Sequence, residues 1–147
     1  MRHLKRVIAL IAMLAMSVAC VGPVYAADGS NGTQASPTLA MYAVWLDPGD
    51  SAGELDVTFD VTATEWADSL GVSYFEIHEA SSGALVRTVR GTTSNGLTRE
   101  SASTFTNTYT ATGFTRGVYY YAIIAVYAEI NGVHGSRTLT TGSVKAP

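Results

Sequence analysis

From Leu55 to Thr64 apolar and polar residues alternate without a break. Leu55, Val57, Phe59, Val61 and Ala63 take one parity, and Asp56, Thr58, Asp60, Thr62 and Thr64 take the other. A period of two puts successive side chains on opposite faces of an extended chain, so this stretch is a strand with one buried and one wet face. No segment of the mature chain holds a 3.6-residue period long enough to compete. The rest of the chain repeats the pattern in short runs. The expected strands are Leu39–Leu46, Glu54–Thr64, Val72–Ala80, Ala84–Arg90, Ser103–Ala111, Val118–Ile130 and Arg137–Val144. Asp47-Pro48-Gly49-Asp50, Ser81-Ser82-Gly83 and Asn131-Gly132 punctuate them as turns.

Seven short strands with turn signals every 8–15 positions predict an all-β, seven-stranded sandwich over residues 39–147. The spacing resembles a fibronectin type III or related immunoglobulin-like domain. Phe114, Gly117 and Tyr120 resemble the tyrosine corner of those folds, in which the Tyr hydroxyl bonds back to the backbone before its strand.

The first 26 residues belong to a different object. Arg2, His3, Lys5 and Arg6 form a basic start, and an apolar run from Val7 to Val21 follows. Gly22-Pro23 then precedes Val24-Tyr25-Ala26. Val and Ala at the −3 and −1 subsites predict a signal peptide cleaved after Ala26 and a secreted, extracellular product. The apolar run is shorter than the roughly 20 residues a bilayer span needs. A competing reading lipidates Cys20, but Ser17-Val18-Ala19 before it is a poor lipoprotein box. Residues 27–38, rich in Gly, Ser, Asn and Thr, read as a flexible leader.

Cleavage removes three of the nine Lys and Arg and none of the twelve Asp and Glu, leaving a net charge of −6. That balance excludes a nucleic-acid footprint and disfavours anionic membranes. It also removes the lone Cys, and with it disulfides and thiolate chemistry.

The segment Tyr119-Tyr120-Tyr121-Ala122-Ile123-Ile124-Ala125-Val126-Tyr127-Ala128, with Asn131-Gly132 and Ser136-Arg137-Thr138-Leu139-Thr140-Thr141, is more distinctive. It resembles the C-terminal signature of small secreted proteins of Gram-positive bacteria that form a domain-of-unknown-function family. Val57–Thr64, Leu70-Gly71-Val72 and Glu79–Gly83 extend the resemblance over most of residues 39–146. Gly135 stands where an acidic residue is common, and Trp66 where Met is usual. The resemblance implies export and a sandwich fold, and no activity.

No catalytic, cofactor or metal site is expected. His78 and His134 are far apart in sequence and lack a zinc-ligand spacing. His78 reads as a strand residue on a wet face, sharing that face with Glu76. Asp47, Asp50, Glu54 and Asp56 are loose candidates for calcium, centred on Asp47 and Asp50. Ser and Thr abound without an activating base. The candidate site is instead a surface. With Tyr120, Ala122, Ile124, Val126 and Ala128 inward, Tyr119, Tyr121, Ile123 and Tyr127 face out. Tyr74 and His78 of the neighbouring strand join them. A Tyr-rich face suits stacking on sugars or anchoring a protein. A second regular array, Thr58 and Thr62 against Thr104, Thr106, Thr108 and Thr110, predicts cross-strand Thr–Thr contacts.

The expected function is a non-catalytic binding module for a glycan or protein. The alternatives are a self-associating structural component of the cell surface and, more remotely, a small secreted enzyme or inhibitor. Intact mass spectrometry of the exported protein should give a chain beginning at Ala27; a diacylated chain beginning at Cys20 would overturn the signal-peptide reading.

Overall fold

The computed structural model describes the backbone of Gly29–Gly32 and residues 36–147. The signal segment and Cys20 lie outside the described residues. The described chain is all-β, with eight strands and only antiparallel pairings: β1 Gly29–Gly32, β2 Leu39–Pro48, β3 Glu54–Glu79, β4 Leu85–Arg90, β5 Thr98–Thr112, β6 Tyr119–Ile130, β7 Val133–Thr140 and β8 Val144–Lys145.

One strand organises the rest. β3 is 26 residues long. Its first half lies between β2 (Pro48↔Leu55 to Leu39↔Ala63) and β5 (Glu54↔Thr112 to Thr62↔Thr104). Its second half lies between β6 (Ser69↔Glu129 to Glu79↔Tyr120) and β4 (Tyr74↔Arg90 to His78↔Leu85). β7 pairs with the far side of β6. Alternation alone predicts two separate strands here, ending at Thr64 and restarting at Val72. The chain instead stays extended, because Ala67 and Leu70 are fully buried and β5 continues to pair through Ala67↔Ala102 and Gly71↔Thr98. Between Thr62 and Ala67, β3 advances five residues while β5 moves only from Thr104 to Ala102. Those extra residues form an irregularity that bends β3, as bulges do.

Alternation selects the core. Leu55, Val57, Phe59 and Val61 are fully buried, as are Ala122, Ile124, Val126 and Ala128 on β6. Phe105 packs edge-on to Phe59 and Tyr109 edge-on to Phe75, with centroids 5.3 and 5.4 Å apart. Truncating a fully buried Phe such as Phe59 to Ala costs about 3–5 kcal/mol.

The link from β4 to β5 is polar but fixed. Asn95 Nδ2 donates to Arg90 O at 2.8 Å, and Asn95 Oδ1 accepts from the N–H groups of Thr92 and Leu97. Leu97 is fully buried, and its carbonyl abuts the α-carbon side of Gly71, whose φ is +139°. Any β-carbon there would strike that carbonyl.

Asn131 and Gly132 have φ of 50° and 75°, the pair of left-handed residues that a type I′ hairpin turn needs. β7 therefore starts at Val133, four residues before the expected Arg137, and ends at Thr140. Thr141 then turns the chain: its N–H donates to Ala122 O, and its hydroxyl accepts from Ala122 N–H at 2.9 Å. Within the segment read as a leader, Gly29–Gly32 pairs with β2 from Gly29↔Trp45 to Gly32↔Tyr42.

Of the three consecutive tyrosines, Tyr120 is the one turned inward. Its hydroxyl accepts from Thr115 N–H at 3.1 Å, and its ring packs against Phe114 at 5.1 Å. Tyr120→Phe should lower unfolding stability by about 1 kcal/mol, the net worth of one hydrogen bond. Tyr121→Phe should change it by less than about half as much. Urea unfolding midpoints check the contrast.

Candidate binding face

The outer surface of the β3 second half, β6 and β7 gathers the residues the sequence selected. Register places His78 opposite Tyr121, Glu76 opposite Ile123 and Tyr74 opposite Ala125. A register shift at Ser73 keeps Val72 inward and Tyr74 outward, and the Ser73 hydroxyl donates to Ala125 O at 3.1 Å. On the other flank Thr140, Thr138 and Ser136 face Ile123, Ala125 and Tyr127. Tyr74, His78, Tyr119, Tyr121 and Tyr127 thus share one face. From Tyr119 to Tyr127 the face extends about 27 Å, at roughly 3.4 Å per strand residue.

Two ring pairs mark its ends. His78 stacks on Tyr121, with centroids 5.2 Å apart and planes 13° from parallel. Tyr127 stacks on His134 at 5.5 Å and 20°. In each pair a His ring lies against one face of the Tyr ring. Each pair also has a carboxylate beside it. Glu76 Oε2 is 3.3 Å from His78 Nε2, and Glu129 lies directly opposite His134 in register.

His78 is held from three sides: by Tyr121, by Glu76 and by Gly83 O at 3.1 Å from Nδ1. Both polar partners present oxygens to the two ring nitrogens. The expectation of a solvated His is corrected here. Its side chain keeps 13% of its exposure, because Tyr121 covers it. The expected sharing of a face with Glu76 is what the structure has.

His134 was not selected from the sequence, although its signal was present. An Asn-Gly turn of two residues fixes the register so that His134 opposes Glu129, diagonal to Tyr127.

Two hollows among the described residues lie away from this face. One, about 210 Å³, is lined by Pro37, Thr38, Glu65, Ile130, Asn131 and Val133. The other, about 420 Å³, is lined by Pro48, Arg116, Gly117, Lys145, Ala146 and Pro147. A surface mosaic of rings, hydroxyls and carboxylates suits an extended ligand rather than an enclosed small molecule.

The Thr array takes the opposite course. The Thr58 and Thr108 hydroxyls are 2.9 Å apart, as expected. Thr106 donates to Asp60 Oδ1 at 3.0 Å, and Thr110 to Asp56 Oδ1 at 2.6 Å. Its polar groups are turned toward one another. Of the loose calcium candidates, Asp56 is in this ladder, and Glu54 Oε2 accepts from Ser51 N–H at 3.0 Å. Among the described residues no three His, Cys, Asp or Glu side chains come together as an ion site.

No family model matches the chain, and no curated protein matches it.

Tyr121→Ser should move the His78 ring protons downfield in NMR spectra by removing the stacked ring, and leave those of His134 in place. Tyr127→Ser should do the reverse. Each should cost no more than about 0.5–1.5 kcal/mol of stability, the scale of one aromatic pair.

Proposed function

We propose that the protein is an exported, non-catalytic binding module of immunoglobulin-like form. In this reading it engages a glycan or a protein surface through the Tyr/His face. The observation that carries the proposal is the pair of Tyr–His stacks at the two ends of one sheet face, each with a carboxylate alongside. Tyrosine rings are rigid and amphipathic, and give contact area at low entropic cost to both sugars and proteins.

The sandwich reading has support of its own. One half of β3 pairs with β2 and β5, and the other half with β4 and β6, which carries β7. All the strands join one hydrogen-bonded sheet through β3, and the three-strand and four-strand groups on its two halves are what supports reading it as a sandwich of fibronectin type III form, with β3 in the place of two successive strands. The bond from Thr115 N–H to Tyr120 Oη matches its tyrosine corner. The resemblance to small secreted proteins of Gram-positive bacteria fits export, with cleavage after Ala26.

A second reading, self-association as a structural surface component, is favoured by β4, which among the described residues pairs only with β3; such an edge accepts a further strand.

Immobilised residues 27–147 should capture a cell-surface glycan or a secreted protein. The double variant Tyr121→Ser/Tyr127→Ser should lose at least about tenfold in affinity with its unfolding transition retained. Equal capture by a folded double variant would overturn the proposal.

A further inference from the structure

Two features at opposite ends of the molecule are unmatched among the described residues. The first is the β3 bend, Glu65-Trp66-Ala67-Asp68. Ala67 is fully buried and holds the bend down, while Trp66 is 69% exposed between two exposed carboxylates. The second is the hollow of about 420 Å³ lined by Pro48, Ala146 and Pro147, with Arg116 and Lys145 among its walls. Neither cation has an acidic partner among the described residues.

β6 fixes the distance between them. It begins at Tyr119, opposite Lys145, and reaches Glu129, opposite Ser69 just past the bend. Ten strand residues separate these points, or about 33 Å.

The two features match in chemistry. Proline and alanine surfaces give an indole ring an apolar bed. A guanidinium or ammonium at the rim is attracted to the indole face. The carboxylates of Glu65 and Asp68 flank the indole where Arg116 and Lys145 would meet them. The mature chain keeps only six Lys and Arg, against twelve acids. Two of those six line this one hollow, so its charge stands out against the molecule's overall charge and matches the bend's.

We propose that copies of this chain associate head to tail, with Trp66 of one copy seated in the hollow between Pro48, Arg116 and Lys145 of the next. The contact joins two different surfaces at opposite ends, so each bound copy still offers a free bend and a free hollow. Such a heterologous contact propagates into open chains unless its rotation closes a ring. The contact uses neither the Tyr/His face nor an edge strand, so it stands or falls separately from ligand binding at that face, and it gives the self-association read above a route other than edge-strand pairing.

Sedimentation equilibrium of residues 27–147, from micromolar to millimolar protein, tests it. The average mass should rise with concentration past that of a dimer, and rise less at high salt. Trp66→Ser should raise the concentration for half-association by about tenfold or more. Its unfolding midpoint should be unchanged, because the ring is exposed. Arg116→Glu/Lys145→Glu and Glu65→Lys/Asp68→Lys should each be monomeric alone and associate when mixed, since the swapped charges again oppose. Tyr121→Ser/Tyr127→Ser should associate like the parent chain. A parent chain that stays monomeric would overturn the proposal. So would association that survives Trp66→Ser, or charge variants that remain apart when mixed.

Discussion

β3 supplies backbone hydrogen bonds to four neighbours along one continuous strand, and every other pairing is arranged around it. Such a strand has a conflict to resolve. A 26-residue extended segment is far longer than the five or six residues usual for a strand. It fits a small domain only if it turns partway along. The irregularity between Thr62 and Ala67 provides that turn. Ala67 and Leu70 are then buried just beyond it, so the bend is anchored by apolar contact rather than left as a loop. The exposed position of Trp66 follows directly. At a bend, consecutive side chains no longer alternate between core and solvent, and Thr64, Glu65 and Trp66 all face out.

Much of this was legible in the sequence wherever alternation was unbroken. The inward and outward sets of β6 and of the β3 first half came out as expected, because a period of two leaves one choice once the apolar parity is known. The sequence hides whatever depends on the third dimension. The join of the two halves of β3 was invisible because Thr64-Glu65-Trp66 breaks the alternation, and a broken pattern reads as a turn. The early start of β7 was missed for a related reason. Val133-His134-Gly135-Ser136 carries little apolar signal, yet the Asn131-Gly132 turn had already fixed where pairing resumes. Gly135 itself has a tertiary cause. Ser36 and Thr38 crowd the place where its β-carbon would stand.

The two outer faces use polar groups differently. On the Thr face, hydroxyls and carboxylates satisfy one another across β3 and β5, so a ligand must displace bonds already made. On the Tyr/His face the tyrosines Tyr121 and Tyr127 meet the histidines ring against ring. These contacts cost the hydroxyl groups nothing, since a Tyr stacked on one side still has its phenol edge to donate and accept. A face of the second kind offers both apolar area and open hydrogen-bonding groups, a combination found at recognition surfaces. A face of the first kind makes a soluble exterior from strand-forming residues.

His78 shows how the site depends on the scaffold. Its ring position follows from the hairpin between β3 and β4, which brings Gly83 O to Nδ1, and from the β3–β6 register, which sets Tyr121 beside it. His134 depends on a different hairpin, the type I′ turn after Ile130. The two stacks therefore rest on separate turns at opposite ends of β6, while the strand between them keeps its inner side packed in the core. Loosening one turn disturbs one stack and leaves the other in place. A ligand that spans both ends would thus sense the rigidity of β6 itself, which is set by Ala122, Ile124, Val126 and Ala128 beneath it.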